Sequence, residues 1–366
     1  MWKIVLEYRY VGLTAFVVTV LATPIAIRLA NVLGVLDRPD KLLKPHARPI
    51  PYLGGAAICL GWAVAAWCAI VWGQAELATL LPVLLGGVAV SIVGLIDDVR
   101  DLPPKTRLAI TTLIIATVMI LTGTGFRLID SLTMPLFDAE LPRAVAAPIA
   151  VLLGCFVVLG ACNSTNLIDG LDGLCSGVTS IISLGFFLLA SHLAAHQYSV
   201  TGDPVRLVLA IAMVGAAVGF LPFNFNPARI FMGDAGSMLL GYNCGMMILL
   251  FAENGIFRWV IGALMIFALP VFDTALAMFR RWRSGRSIFE GDRSHFYDQL
   301  VQRGMSVKQT VLTCYLLTVV FGLIGLTTIF MRTRWAIVVY VGVCALTALL
   351  AWRTGLAHPE QRKGGD

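Results

Sequence analysis

Six aspartates of this 366-residue chain sit where long apolar runs give way to short polar segments. Asp97 and Asp98 are adjacent in GLIDDVRDL. Asn166, Asp169 and Asp172 stand three apart in NSTNLIDGLDGL, a spacing that keeps side chains on one helix face with a slow drift. Asn224, Asn226 and Asp234 punctuate FNFNPARIFMGDAGS, and Asp273 lies near the end of a later apolar run. A charge at membrane depth is costly and usually marks a functional site. Carboxylates with amide oxygens suit a hard divalent cation, Mg²⁺ above all, which keeps several waters and also binds substrate phosphates. Gly170, Gly173, Gly233 and Gly236 beside them permit tight turns.

Basic residues accompany the acids. KPHARPIPYLGG supplies Lys44, His46 and Arg48; Lys105 and Arg107 follow the Asp pair; Arg286, Arg293 and His295 lie in the last large polar segment. Arginine forks match phosphate oxygens. Carboxylates of the Mg²⁺ type beside such arginines point to phosphoryl transfer on a diphosphate-bearing substrate, by positioning and charge neutralisation. Plainer explanations stand beside this one. Lys41, Arg280, Arg281 and Arg283 follow from membrane topology alone. His46 reads as an ordinary loop residue, and Asp101 as a solvated charge. Asp273 fits either the site or a buried acid paired to an arginine.

The elements that must position these residues are membrane helices. Hydrophobic residues make up 58% of the chain and charged residues 13%, and mean hydropathy is +0.85. A soluble fold of this size needs far more polar surface. Apolar windows fall at 10–30, 54–72, 80–96, 108–122, 145–161, 174–191, 206–222, 236–251, 257–279, 309–330 and 335–352. These predict an all-α polytopic integral membrane protein with about eleven transmembrane helices, a single domain over 1–366. With the N-terminus outside and the C-terminus cytoplasmic, 19 of the 27 Lys and Arg residues fall inside, which decides the orientation. The net charge of +6 is then a topology and phosphate signal, and nucleic acid is not an expected partner. Five inside loops would form the site: 31–53, 97–107, 162–173, 223–235 and 280–308. The outside segment 123–144 alternates weakly, is broken by Pro135 and Pro142, and predicts a short hairpin. The eight cysteines form no Cys-x-x-Cys pair, which argues against zinc or a disulfide framework.

As a set, RPIPYLGG, GLIDDVRDL, NSTNLIDGLDGL, NPARIFMGDAGS and DRSH resemble the polyprenyl-phosphate N-acetylhexosamine-1-phosphate transferases over about residues 10–350. The resemblance implies transfer of a sugar-1-phosphate, GlcNAc-1-phosphate first, from a UDP-N-acetylhexosamine to a polyprenyl (undecaprenyl) phosphate, releasing UMP. UDP-MurNAc-pentapeptide is the alternative donor. It implies a plasma-membrane (inner-membrane) enzyme with its site on the cytoplasmic face, at the start of a lipid-linked cell-envelope glycan. It implies Mg²⁺, with Mn²⁺ able to substitute, and it alone suggests a homodimer. By the same resemblance Asp97, Asp98 and Asp169 are catalytic, and Asn166 and Asp234 hold the metal on the diphosphate. Lys44, Arg107, Asp172, Asn224, Phe231, Arg293 and His295 bind substrate, with Asp172 and Phe231 near the uracil. One departure stands out. The GlcNAc-1-phosphate branch usually reads His-x-His-His after the Asp-Arg of the last loop, whereas this chain reads His295-Phe296-Tyr297-Asp298. That leaves the sugar open.

Two other classes fit these residues less well. A carrier using the acids as a relay predicts acids near the bilayer midplane, not at the inner ends. A CDP-alcohol phosphatidyltransferase needs an Asp-Gly-x-x-Ala-Arg run, but Leu-Asp-Gly-Leu follows Asp169-Gly170.

Overall fold

The computed structural model describes residues 1–37, 49–137, 141–196, 203–253, 255–285 and 295–357, with backbone only at 134–137. The first helix is α1 (Trp2–Leu33), closed by Gly34 in the left-handed region at φ 72°. A two-residue antiparallel pair follows, β1 (Leu36–Asp37) with β2 (Ile50–Pro51). Then come α2 (Gly54–Val71), α3 (Leu77–Arg100) and α4 (Pro104–Thr122). Pro103 and Pro104 start α4, where a missing N–H costs nothing. Next are α5 (Leu128–Phe137), α6 (Arg143–Leu167), α7 (Leu174–Ala195), α8 (Asp203–Asn224) and α9 (Gly233–Leu250). The chain ends with α10 (Phe257–Ile266), α11 (Ala268–Arg283), α12 (Phe296–Gln302), α13 (Val307–Thr328) and α14 (Thr333–Arg353). A capping box of Ser306 and Gln309 opens α13.

Among the described residues, nine helices are long and apolar enough to cross a membrane, and α10 with α11, bent by 72°, is a tenth candidate. The eighth apolar window, 236–251, is α9, and it does not qualify on its own composition. The physical reason is its surroundings. Every residue of α9 except Asp234 is buried by protein, so Asn243, Tyr242 and its four glycines never face lipid. α3 and α6 pack against it. The apolar window of α7 is 83% buried and that of α14 only 6%, which puts α7 near the centre and α14 at the rim. All eight cysteines are free.

The outside segment departs from expectation. Its centre is the helix α5, not a hairpin. Ile129 buries against Ala146 and Ala150 of α6, a face that an isolated two-stranded hairpin would not gain.

Candidate active site

The C-terminal ends of α3, α6 and α8 meet the N-terminal ends of α4, α7 and α9 at one end of the bundle. The hub is the N-terminus of α9, where orphan N–H groups and the helix dipole favour negative charge. Asp98, from the last turn of α3, accepts from the N–H groups of Asp234 (2.8 Å) and Ala235 (3.1 Å). Gly233, at φ 69°, leaves room for it; a Cβ there would lie 2.6 Å from an Asp98 oxygen. Asp98 therefore docks α3 onto α9 with both carboxylate oxygens.

Asp234 joins three elements. Its Oδ1 accepts from the Asn166 carboxamide at 2.7 Å, and its Oδ2 from Arg107 Nη1 at 2.7 Å. The same Nη1 donates to Asp97 Oδ2 at 2.5 Å, while Asp97 Oδ1 accepts from the Leu102 N–H at 2.7 Å. Asn166 also donates to Ser237 Oγ at 3.1 Å. Among the described residues only Nη1 of Arg107 is bonded, so its Nε and Nη2 donors remain for an anionic ligand. Asp97, Asp98, Arg107, Asn166 and Asp234 thus form one bonded cluster.

The turn between α6 and α7 lies beside it. Burial, then the carboxylates of Asp234, Asp98 and Asp172, push the Asp169 carboxyl well above the usual range. Tyr52 is raised likewise by burial and then by Asp98, Asp234 and Asp169, which sets that phenol among the same acids. Asp172 Oδ2 accepts from Asn226 Nδ2 (2.9 Å) and the Ala228 N–H (3.0 Å), tying this turn to the 225–232 segment. Phe231 is half-buried and meets the Tyr52 ring edge-on at 6.4 Å.

Several expected roles take a different form. Asn224 is 2% exposed, and its carboxamide is used internally. Its oxygen accepts from the Gly173 N–H (3.1 Å) and Ser176 Oγ (2.9 Å), and its nitrogen donates to the Ile230 carbonyl (3.1 Å). That geometry suits a brace between α7 and α8 and not a substrate contact. Asp273 shares no hydrogen bond with the other acids of the site, and its partner is His295 Nδ1 at 2.8 Å in place of an arginine. Its other oxygen accepts from the Phe296 N–H at 2.6 Å. His295 is 4% exposed, leaving Nε2 as its remaining polar atom. Lys44 and Arg293, with His46, Arg48 and Arg286, lie outside the described residues. Tyr52 and Ser237 are additions to the site. Tyr52 was inside a quoted motif, RPIPYLGG, but an aromatic there reads as core packing.

Among the described residues no three His, Cys, Asp or Glu side chains converge as a ready-made metal cage. Mg²⁺ asks for less: one or two carboxylates, with waters and substrate phosphates completing its shell. Asp234 and the Asn166 carboxamide oxygen meet that requirement. The charge balance agrees: besides burial, which is the larger cause, the carboxylates of Asp234, Asp98 and Asp172 raise Asp169, and a divalent cation would relieve that gathering of acids.

Residues 80–252 match the glycosyl transferase family 4 profile. The chain is 31% identical to the probable undecaprenyl-phosphate N-acetylglucosaminyl 1-phosphate transferase of Bacillus subtilis, over 84% of this chain and 82% of that one. It is 31% identical to the decaprenyl-phosphate N-acetylglucosaminephosphotransferase of Mycobacterium tuberculosis, over 98% and 91%. It is also 31% identical to the phospho-N-acetylmuramoyl-pentapeptide-transferase of Desulforamulus reducens, over 88% and 96%. With these relatives aligned along most of its length, the chain belongs to glycosyl transferase family 4, the polyprenyl-phosphate N-acetylhexosamine-1-phosphate transferases.

Proposed function

We propose that the protein transfers GlcNAc-1-phosphate from UDP-GlcNAc to a polyprenyl phosphate and releases UMP. The observation that carries this is the bonded cluster at the N-terminus of α9, where Asp97 and Asp234 hold an arginine with unused donors and Asp98 caps the helix. An oxygen of the lipid phosphate attacks the phosphorus that bears the sugar. The bond from that phosphorus to the bridging oxygen breaks, and UMP leaves with the electron pair. A phosphate monoester has a second pKa near ~6, so the lipid phosphate is largely a dianion at neutral pH and needs little base help. Arg107 would meet the diphosphate through Nε and Nη2. Asp98 holds the start of α9 in place, and Asp169 faces the reaction from the adjoining turn.

The cluster would bind Mg²⁺ through Asp234 and Asn166, and Mg²⁺ when bound neutralises charge on the diphosphate and the departing UMP. Chelation with EDTA is expected to stop transfer, and added Mg²⁺ or Mn²⁺ to restore it. Full turnover in EDTA would remove the metal from the reaction. Asp172→Asn is expected to weaken UDP-sugar binding about tenfold, because both bonds holding 226–228 end on one charged oxygen, the neutral carboxamide oxygen that replaces it accepts more weakly, and the loop beside Phe231 loosens. Titration of UDP-GlcNAc against the purified variant reads this, and unchanged affinity would free Asp172 from the nucleotide site.

Eleven crossings follow if α9 and the bent α10–α11 pair each count as one. With the Lys and Arg excess set inside, the N-terminus is outside, and the site lies on the cytoplasmic face of the plasma membrane, where a soluble UDP-sugar and an interfacial lipid phosphate can meet. The deciding experiment supplies UDP-GlcNAc, other UDP-N-acetylhexosamines and UDP-MurNAc-pentapeptide with undecaprenyl phosphate, and weighs the lipid product. GlcNAc-diphospholipid as the main product supports the proposal; the muramoyl product alone would replace the donor.

A further inference from the structure

We propose that Tyr297 is a positioning residue for the turn that carries Asp169, gripping this protein's own backbone rather than the sugar donor. The inference builds on the transferase function and concerns the position where His295-Phe296-Tyr297-Asp298 departs from His-x-His-His.

Tyr297 is the second residue of α12 and is 4% exposed. Its hydroxyl donates to the Leu167 carbonyl at 2.8 Å. Leu167 ends α6, so that carbonyl is one of those a helix end leaves without an intrahelical partner. The ring lies directly on Gly170: a Cβ there would fall 2.2 Å from the hydroxyl oxygen and 2.7 Å from ring carbons. Glycine at 170 is what lets the ring approach. Tyr315 of α13 does the same at the other end of the turn, donating to the Gly173 carbonyl. Asn224 accepts from the Gly173 N–H at 3.1 Å, a third grip. Asp169 lies between these anchor points.

The outer side of Tyr297 is equally fixed. The His295 ring stacks on it at 5.5 Å and 8°. Asp273 holds His295 through Nδ1 and the start of α12 through the Phe296 N–H. Burial, then Asp298, Asp273 and Asp169, keep the phenol protonated and therefore a donor. A histidine at 297 is shorter and would fall short of the Leu167 carbonyl. The last loop and the Asp169 turn are thus one mechanical unit, joined through a tyrosine.

The test uses the full-length protein in lipid nanodiscs. Tyr297→Phe keeps the ring and removes the hydroxyl; Gly170→Ala pushes the ring away from the other side. Both are expected to lower kcat about tenfold, as small misplacements of a reacting group do. KM for UDP-GlcNAc should stay within about threefold, since bound substrate does not touch Tyr297. Amide exchange over 168–173 should quicken at least about fivefold as the turn loosens. A KM rise of about tenfold with kcat intact would make Tyr297 a donor contact and overturn the proposal. Unchanged kcat with unchanged exchange in both variants would overturn it too. If the wild-type protein transfers no sugar phosphate from any UDP-sugar, the proposed function fails, and the exchange measurement still decides the role of Tyr297.

Discussion

Asp234→Asn is expected to lower sugar-1-phosphate transfer by about 10²–10³-fold, while the protein still inserts and melts cooperatively. The wild-type carboxylate accepts from two donors on opposite oxygens, Asn166 Nδ2 and Arg107 Nη1. An asparagine has one acceptor and one NH₂. Whichever way it is turned, its NH₂ faces a donor, so one bond is lost and a repulsive contact replaces it. The substitution also removes a negative charge from the group that would carry Mg²⁺. The fold should survive, because the backbone N–H of residue 234 still donates to Asp98 and the helix start stays docked. Asp101→Asn is the matched control. Asp101 is exposed and adopts φ 47°, a region asparagine tolerates well, so both transfer and melting should be unchanged. Initial rates with UDP-GlcNAc, normalised to folded protein by size-exclusion and melting, read the effect. Less than a tenfold loss in Asp234→Asn would remove this side chain from the reaction.

How much of this was legible in the sequence depends on what each residue does. Asp97, Asp98, Asp169 and Asp234 announced themselves because a charge beside twenty apolar residues is too costly to be incidental. Arg107 followed from its sign and its place in an inside loop. What those acids hold was not legible. Nothing in GLIDDVRDL tells that Asp98 caps a helix starting 135 residues later, at Gly233, because a cap drawn from another helix has no sequence spacing. Asn224 reads like its neighbour Asn226, yet the first is consumed by internal bonds and the second reaches Asp172. Tyr52 in RPIPYLGG reads as core packing and Tyr297 only as a departure from His-x-His-His, and the acids around the first and the hydroxyl contact of the second are what reveal their places. Hydropathy also counts a helix by its own residues. α9 is polar enough to fall short while being the most enclosed helix of the site, since protein and not lipid surrounds it. α5 carries no clear helical signal of its own for the related reason that its partner face lies on α6.

Gly55→Ala is expected to cost this protein its folded state or most of its thermal stability, although residue 55 carries no chemistry. A Cβ at 55 would lie 2.2 Å from the Gly236 backbone nitrogen and 2.7 Å from the Ala235 carbonyl carbon. Flexible side chains can yield to overpacking at about 1–3 kcal/mol, but these are backbone atoms of the first turn of α9. Neither side can retreat. The Gly54 and Gly55 N–H groups donate to the Phe231 and Met232 carbonyls at 2.9 and 2.8 Å, fixing the start of α2 to the segment that leads into α9. Ser91 Oγ, donating to the Ala235 carbonyl at 3.0 Å, and Asp98 hold the same turn from α3. Relief can come only by moving the N-terminus of α9, which carries Asp234 away from Arg107 and Asn166. Any Gly55→Ala protein that survives purification should therefore lose transfer in step with its drop in melting temperature. Gly160→Ala, inside α6 with nothing within 4 Å of the added carbon, should melt no lower than wild type, gaining up to about 1 kcal/mol, and stay active. Wild-type melting and turnover in Gly55→Ala would mean that α2 and α9 are not in backbone contact, and the packing assigned to YLGG would fall with it. The glycines of that motif set how closely two helices approach, and that approach places the acids where a diphosphate can reach them.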